Sequence, residues 1–126
     1  MTEPFGALPS LSGTRWLLTE LGGELVPPGE GERAPHVVLD LETSRLAGSG
    51  GCNRLLGSIE LDEAGLRFGP VATTLMHCGE EAMAFERAFL DALEATRGYA
   101  IEGTILTLLD EERVLAQLEA AAADPF

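Results

Sequence analysis

Lysine is missing from this chain of 126 residues, and all eight basic residues are arginine. Against them stand 21 acids, for a net charge of −13. Such a surface repels phosphate backbones and anionic headgroups, which argues against nucleic acid or an acidic membrane surface as partner. Solubility is the plain reading of that charge, and a specific basic partner is the alternative. No apolar run is long enough to insert in a membrane. The start, Met1-Thr2-Glu3-Pro4-Phe5-Gly6, has an early acid, an early proline and no apolar core, and no nearby cysteine could carry a lipid. A cytoplasmic location is expected on that ground, or an envelope or secreted one if the chain is a processed form. Cysteine is scarce: Cys52 and Cys78 are too few for a disulfide scaffold.

Motifs that would announce chemistry are missing as well. No Cys-x-x-Cys or His-x-x-x-His pair suits zinc, so His36, His77, Cys52 and Cys78 could meet at a metal only through tertiary folding. Glu60, Asp62, Glu63, Glu80 and Glu81 lack the ligand spacing of a calcium loop. No cofactor is expected, and no pair of carboxylates stands out for general acid–base work.

What is present is an ordinary globular composition, 45% hydrophobic, in a chain able to bury roughly two-thirds of its unfolded surface. Residues 1–12 read as a tail or loosely docked arm, 13–119 as a single domain and 120–126 as a short tail. Trp16–Leu21 looks like a first strand. Gly22-Gly23 and Pro27–Glu32 read as polar loop. Val37, Leu39 and Leu41 alternate with Asp40 and Glu42, the pattern of a half-buried antiparallel strand. Thr43-Ser44 then turns the chain into residues 45–48. Residues 58–62 and 66–68 form a hairpin around Asp62–Gly65, and 71–76 is extended. A helix over about 80–97 starts with Glu80 and Glu81, where a helix N-terminus favours acids, and ends at Arg97 and Gly98. Its apolar stripe is Ala82, Phe85, Phe89, Ala92 and Leu93, with Glu86, Arg87, Asp91 and Glu94 mostly outside. Three strands follow at 99–101, 105–109 and 114–118. The sum is α+β: a compact, curved antiparallel sheet or partly closed barrel of about 7–8 strands, one helix covering it.

The most restricted stretch is Gly48-Ser49-Gly50-Gly51-Cys52-Asn53-Arg54-Leu55-Leu56-Gly57. Without a Gly-Lys-Ser/Thr ending or a following helix it is no phosphate loop. Its glycines imply a tight turn, a bulge or close backbone approach with positive φ, and Asn53 suits local bonding to backbone. Cys52 and Cys78 lie 26 positions apart. A bridge there would contribute on the order of 3 kcal/mol, whereas reduced, buried thiols are the alternative. Cys78, after His77 and before the helix, is the better candidate for a reactive thiol.

These residues resemble the META domain family, which includes a heat-inducible bacterial envelope lipoprotein. The resemblance runs from Gly13 to about Glu119. It starts at Trp16-Leu17-Leu18 and peaks at Gly51-Cys52-Asn53 with Gly57. It continues through Leu66-Arg67-Phe68, Thr74-Leu75-Met76-His77-Cys78, then Glu86, Phe89 and Leu93, and closes with residues 99–101 and 106–108. It implies a curved sheet closing towards a barrel around one helix, a role in stress response, envelope integrity, secretion or motility, and no enzymatic activity. The motif residues are Gly51, Cys52, Asn53, Gly57, Thr74 and Cys78. The leading expectation is therefore a non-enzymatic interaction or binding module, monomeric, with an unidentified protein or small-molecule partner. A small-ligand carrier and a thiol redox protein acting through Cys78 are the alternatives.

If Gly51 holds a conformation closed to other residues, Gly51→Ala should cost roughly 1 kcal/mol or more. A thermal melt unchanged by the substitution would contradict this.

Overall fold

The computed structural model describes residues 10–27 and 34–121. The expected polar loop at 28–32 and most of the two expected tails lie outside these residues. Ten strands and one helix follow in the order β1 (Arg15–Leu21), β2 (Glu24–Leu25), β3 (His36–Asp40), β4 (Arg45–Ser49), β5 (Arg54–Asp62), β6 (Gly65–Phe68), β7 (Ala72–Thr73), α1 (Glu80–Ala95), β8 (Gly98–Glu102), β9 (Ile105–Asp110) and β10 (Arg113–Ala120). Eight strands lie side by side as β6-β5-β4-β3-β1-β10-β9-β8, with β2 on β1 and β7 on β5. All pairings between named strands are antiparallel.

Period-two alternation builds the inner face. Trp16 and Leu18, Val37 and Leu39, Leu66 and Phe68, Leu106 and Leu108, Ala116 and Leu118 all point inward and are buried. Register shifts between Leu18 and Glu20 and between Val114 and Ala116 add the bend the sheet needs. The sheet nearly closes: Leu66 N–H, on β6, donates to the Arg97 carbonyl just before β8 (3.0 Å). Gly65 permits that approach. Its φ is +134°, and a Cβ there would collide with the Arg97 carbonyl oxygen.

Helix α1 stops at Ala95 rather than at 97. Thr96 is already extended, its hydroxyl donating to Ala92 O (2.9 Å). Arg97 N–H donates to Leu109 O, so Arg97 belongs to the sheet. The helix seals the barrel with Phe89, Leu90, Ala92 and Leu93. Ala82 and Phe85, expected in the stripe, are half-buried, while Glu86, expected outside it, is 3% exposed. Trp16, Phe68 and Phe89 pack in one cluster with the leucines of both elements. These side chains occupy the space between the sheet and the helix.

At four places the structure sharpens the sequence reading or departs from it. Leu11 is buried and the Trp16 indole N–H donates to its carbonyl (3.2 Å), so residues 10–12 are docked on the domain. Gly22 and Gly23 both take positive φ, which suits a tight hairpin and pairs β2 with β1. Strand β5 begins at Arg54, four residues earlier than expected, and β7 covers only two of the residues 71–76. At the other end β10 runs through Ala120, and Ala121 N–H still donates to Arg15 O.

Gly65→Ala should destabilise the fold by about 3 kcal/mol or more, since the Arg97 backbone cannot move without opening the barrel seam. Urea unfolding reads this as a lowered midpoint, and an unchanged midpoint would contradict it.

Candidate functional site

Strands β4 and β5 run into the glycine-rich stretch from both sides, leaving only Gly50–Asn53 between them. Of the four glycines at 48, 50, 51 and 57, Gly51 alone has positive φ (+101°). The others occur where space is short. A Cβ on Gly50 would sit 2.6–2.8 Å from Glu86 side-chain atoms. A Cβ on Gly48 would collide with the His36 carbonyl oxygen, and Gly57, mid-β5 opposite Leu46, lies against Val71. The turn is closed by Gly50 N–H donating to Asn53 O (2.9 Å) and Gly51 N–H to Ser49 Oγ (3.1 Å).

Asn53 is the centre of the corner, and it is 2% exposed. Its backbone N–H donates to Glu86 Oε1 and its Nδ2 to Glu86 Oε2, both at 2.7 Å. Nδ2 also donates to Met76 O (3.2 Å). Oδ1 accepts from Met76 N–H (2.7 Å) and from the Thr74 hydroxyl (2.8 Å). Thr74 Oγ1 in turn accepts from Arg54 N–H (3.1 Å). Both amide hydrogens and both carbonyl lone pairs of the side chain are thus in use. Because Met76 N can only donate and Met76 O only accept, the amide has one orientation. These bonds are long-range, not the local turn bonds expected of Asn53.

Glu86, counted in the family resemblance but set mostly outside the apolar stripe, is the residue whose role the sequence reading did not find. It lies three, four and seven positions before Phe89, Leu90 and Leu93, on their own stripe of α1, and a charged residue in an apolar stripe is the signal. Gly50 makes room for its carboxyl group, and Asn53 supplies two N–H donors to it.

Cys52 and Cys78 are joined as a disulfide with Cα atoms 6.0 Å apart. It ties the corner to the residue two places before α1, so neither sulfur is a thiolate ligand or nucleophile in this form. Thr74, Met76 and Cys78 are therefore all held against the 51–53 turn, by Asn53 and by the bridge. Among the described residues no three His, Cys, Asp or Glu side chains gather in a metal-binding group.

Two surface grooves lie among the described residues. One, about 490 Å³, lies on the outer face of β3, β4 and β5 beside the corner, with His36, Val38, Ala47, Arg54, Leu56 and Met76 in its lining. The other, about 850 Å³, runs between α1 at Phe85 and Ala88 and the β1–β2 turn.

The family model for the META domain matches residues 9–122. The chain belongs to the META domain family. No curated protein matches it in sequence. Two solved structures share the fold. An NMR structure of a protein from Burkholderia xenovorans is 23% identical with a TM-score of 0.68, covering 90% of this chain and 85% of that one. A second NMR structure is 21% identical with a TM-score of 0.63, covering 84% and 88%. The Gly-Cys-Asn corner of this META domain is thus a built polar core joined to a covalent tie.

Asn53→Ala should lower stability by about 3 kcal/mol or more, because four bonds go and Glu86 and Met76 keep unpaired groups. Asn53→Asp, of equal size, should cost more still, since an oxygen would then face Glu86 Oε2. Chemical denaturation of the three proteins tests the order, and an aspartate variant as stable as wild type would contradict the geometry.

Proposed function

We propose that this META domain is a non-enzymatic interaction or binding module, associated with stress response or the envelope. One observation carries the reading. The polar groups of the corner bond to one another: Asn53 spends its whole hydrogen-bonding capacity on Thr74, Met76 and Glu86, and the sulfurs are bonded together. A catalytic group needs a donor, acceptor or nucleophile aimed at a reactant. The disulfide supports a working place that is oxidising, such as the envelope or the extracellular space, over the cytoplasm. No helix among the described residues is long and apolar enough to cross a membrane, and the charge of −13 supports a monomer that keeps apart from nucleic acid.

A second reading, a thiol redox protein, draws on Cys78, which is exposed and precedes α1. The two readings differ in redox potential and in turnover. A structural bridge has a potential below about −300 mV, whereas a catalytic one lies at about −270 mV or above. Equilibration in glutathione buffers should leave Cys52–Cys78 oxidised, and a broad hydrolase and redox screen should find no turnover that depends on a named side chain. A bridge reduced at glutathione potentials, with turnover lost in Cys78→Ser, would overturn the proposal.

A further inference from the structure

The outer face of β3, β4 and β5 carries a pattern that the binding-module reading leaves unused. Residues directly opposed across antiparallel strands point to the same side. His36 opposes Ser49, which opposes Arg54; Val38 opposes Ala47, which opposes Leu56. A polar row therefore lies beside an apolar row, one repeat of the strand away, about 7 Å. Both rows line the groove of about 490 Å³, a size within the range of small-molecule sites. Small Ala47 forms its floor, while Leu56 (60% exposed) and Met76 (46%) stand uncovered at its sides.

Arg54 supplies the charge. In a protein with 21 acids, Arg67, Arg87 and Arg113 each pair with aspartate or glutamate, and Arg97 donates to carbonyls at the end of α1. Arg54, exposed at the groove, has no such partner among the described residues. Its guanidinium fork matches an oxyanion, and a carboxylate most simply. The net charge of −13 repels anions in proportion to their charge, so a single negative charge is favoured over phosphate-like dianions. The apolar row beside it fits a hydrocarbon chain, not a second polar group.

We propose that this groove binds an apolar monocarboxylate, with the carboxylate on Arg54 and its chain over Val38, Ala47 and Leu56. The site rests on the reading of the domain as a binding module, and it adds the class of ligand. The side chains of Asn53, Glu86 and the disulfide hold the groove's wall and take no part in the contact.

The test is an amide NMR titration of the oxidised chain with decanoate below its micelle concentration, with decylamine and inorganic phosphate in parallel. Decanoate should give saturable shifts centred on His36, Ala47, Arg54 and Leu56. Phosphate and decylamine should bind there at least roughly tenfold more weakly, and R54Q should lose decanoate affinity by a similar factor. A47F, which fills the floor and keeps Arg54, should abolish the shifts. Both positions are exposed, and unchanged melts check that the variants fold. Decylamine binding as tightly as decanoate, an R54Q variant with wild-type affinity, or shifts confined to the groove beside α1 would each overturn the assignment. Those results leave the non-enzymatic reading standing, because that falls only to side-chain-dependent turnover.

Discussion

Two hydrogen bonds from Asn53 to Glu86 set the terms for the rest of this structure. A carboxyl group buried on the inner stripe of the helix costs several kcal/mol unless its oxygens are met by donors. Asn53 meets both, one through its backbone and one through its side chain. That requirement reaches outward. Residue 50 must be glycine to leave room for the carboxyl group, the chain must turn sharply at Gly51 to bring Asn53 back, and α1 must enter in the register that points Glu86 at the turn. The same amide then fixes Thr74 and Met76, the segment leading into the helix.

The disulfide and the amide hold the same segment by different physics. The Cys52–Cys78 bridge acts chiefly by restricting the unfolded chain. Asn53 acts in the folded state, by satisfying groups that would otherwise be buried unpaired. The corner is therefore secured twice, and its residues are used up in securing it. On the outer face the situation reverses, since Arg54, Leu56 and Met76 lie at the same corner but are directed away from the core. Inner residues build the domain, and the adjoining outer ones remain for recognition.

Much of the fold was legible in the sequence because the physics there is local. Alternation in residues 36–42 and 105–118 showed half-buried strands, and the change to helical spacing after Glu80 marked α1. The Gly-Cys-Asn block with Thr74 and Cys78 pointed to the family. What escaped depended on contacts between distant segments. The role of Gly50 cannot be read without Glu86, 36 residues on in the chain, and the early start of β5 follows from its pairing with β4 inside a stretch that looks like loop. Asn53 carried a turn signal that the structure uses for long-range bonds instead. Glu86 was within reach, since its heptad relation to Phe89, Leu90 and Leu93 was in plain view.

Native-state hydrogen exchange at two amides tests the central claim most directly. Asn53 N–H and Met76 N–H lie outside the regular strands, where amides ordinarily exchange through local opening. Here the first is held by Glu86 and the second by the Asn53 side chain, so both should exchange only with global unfolding, at rates like those of the β3–β4 ladder. Exchange at rates like those of the exposed turn at 111–112 would show that the corner opens on its own, and would contradict this account.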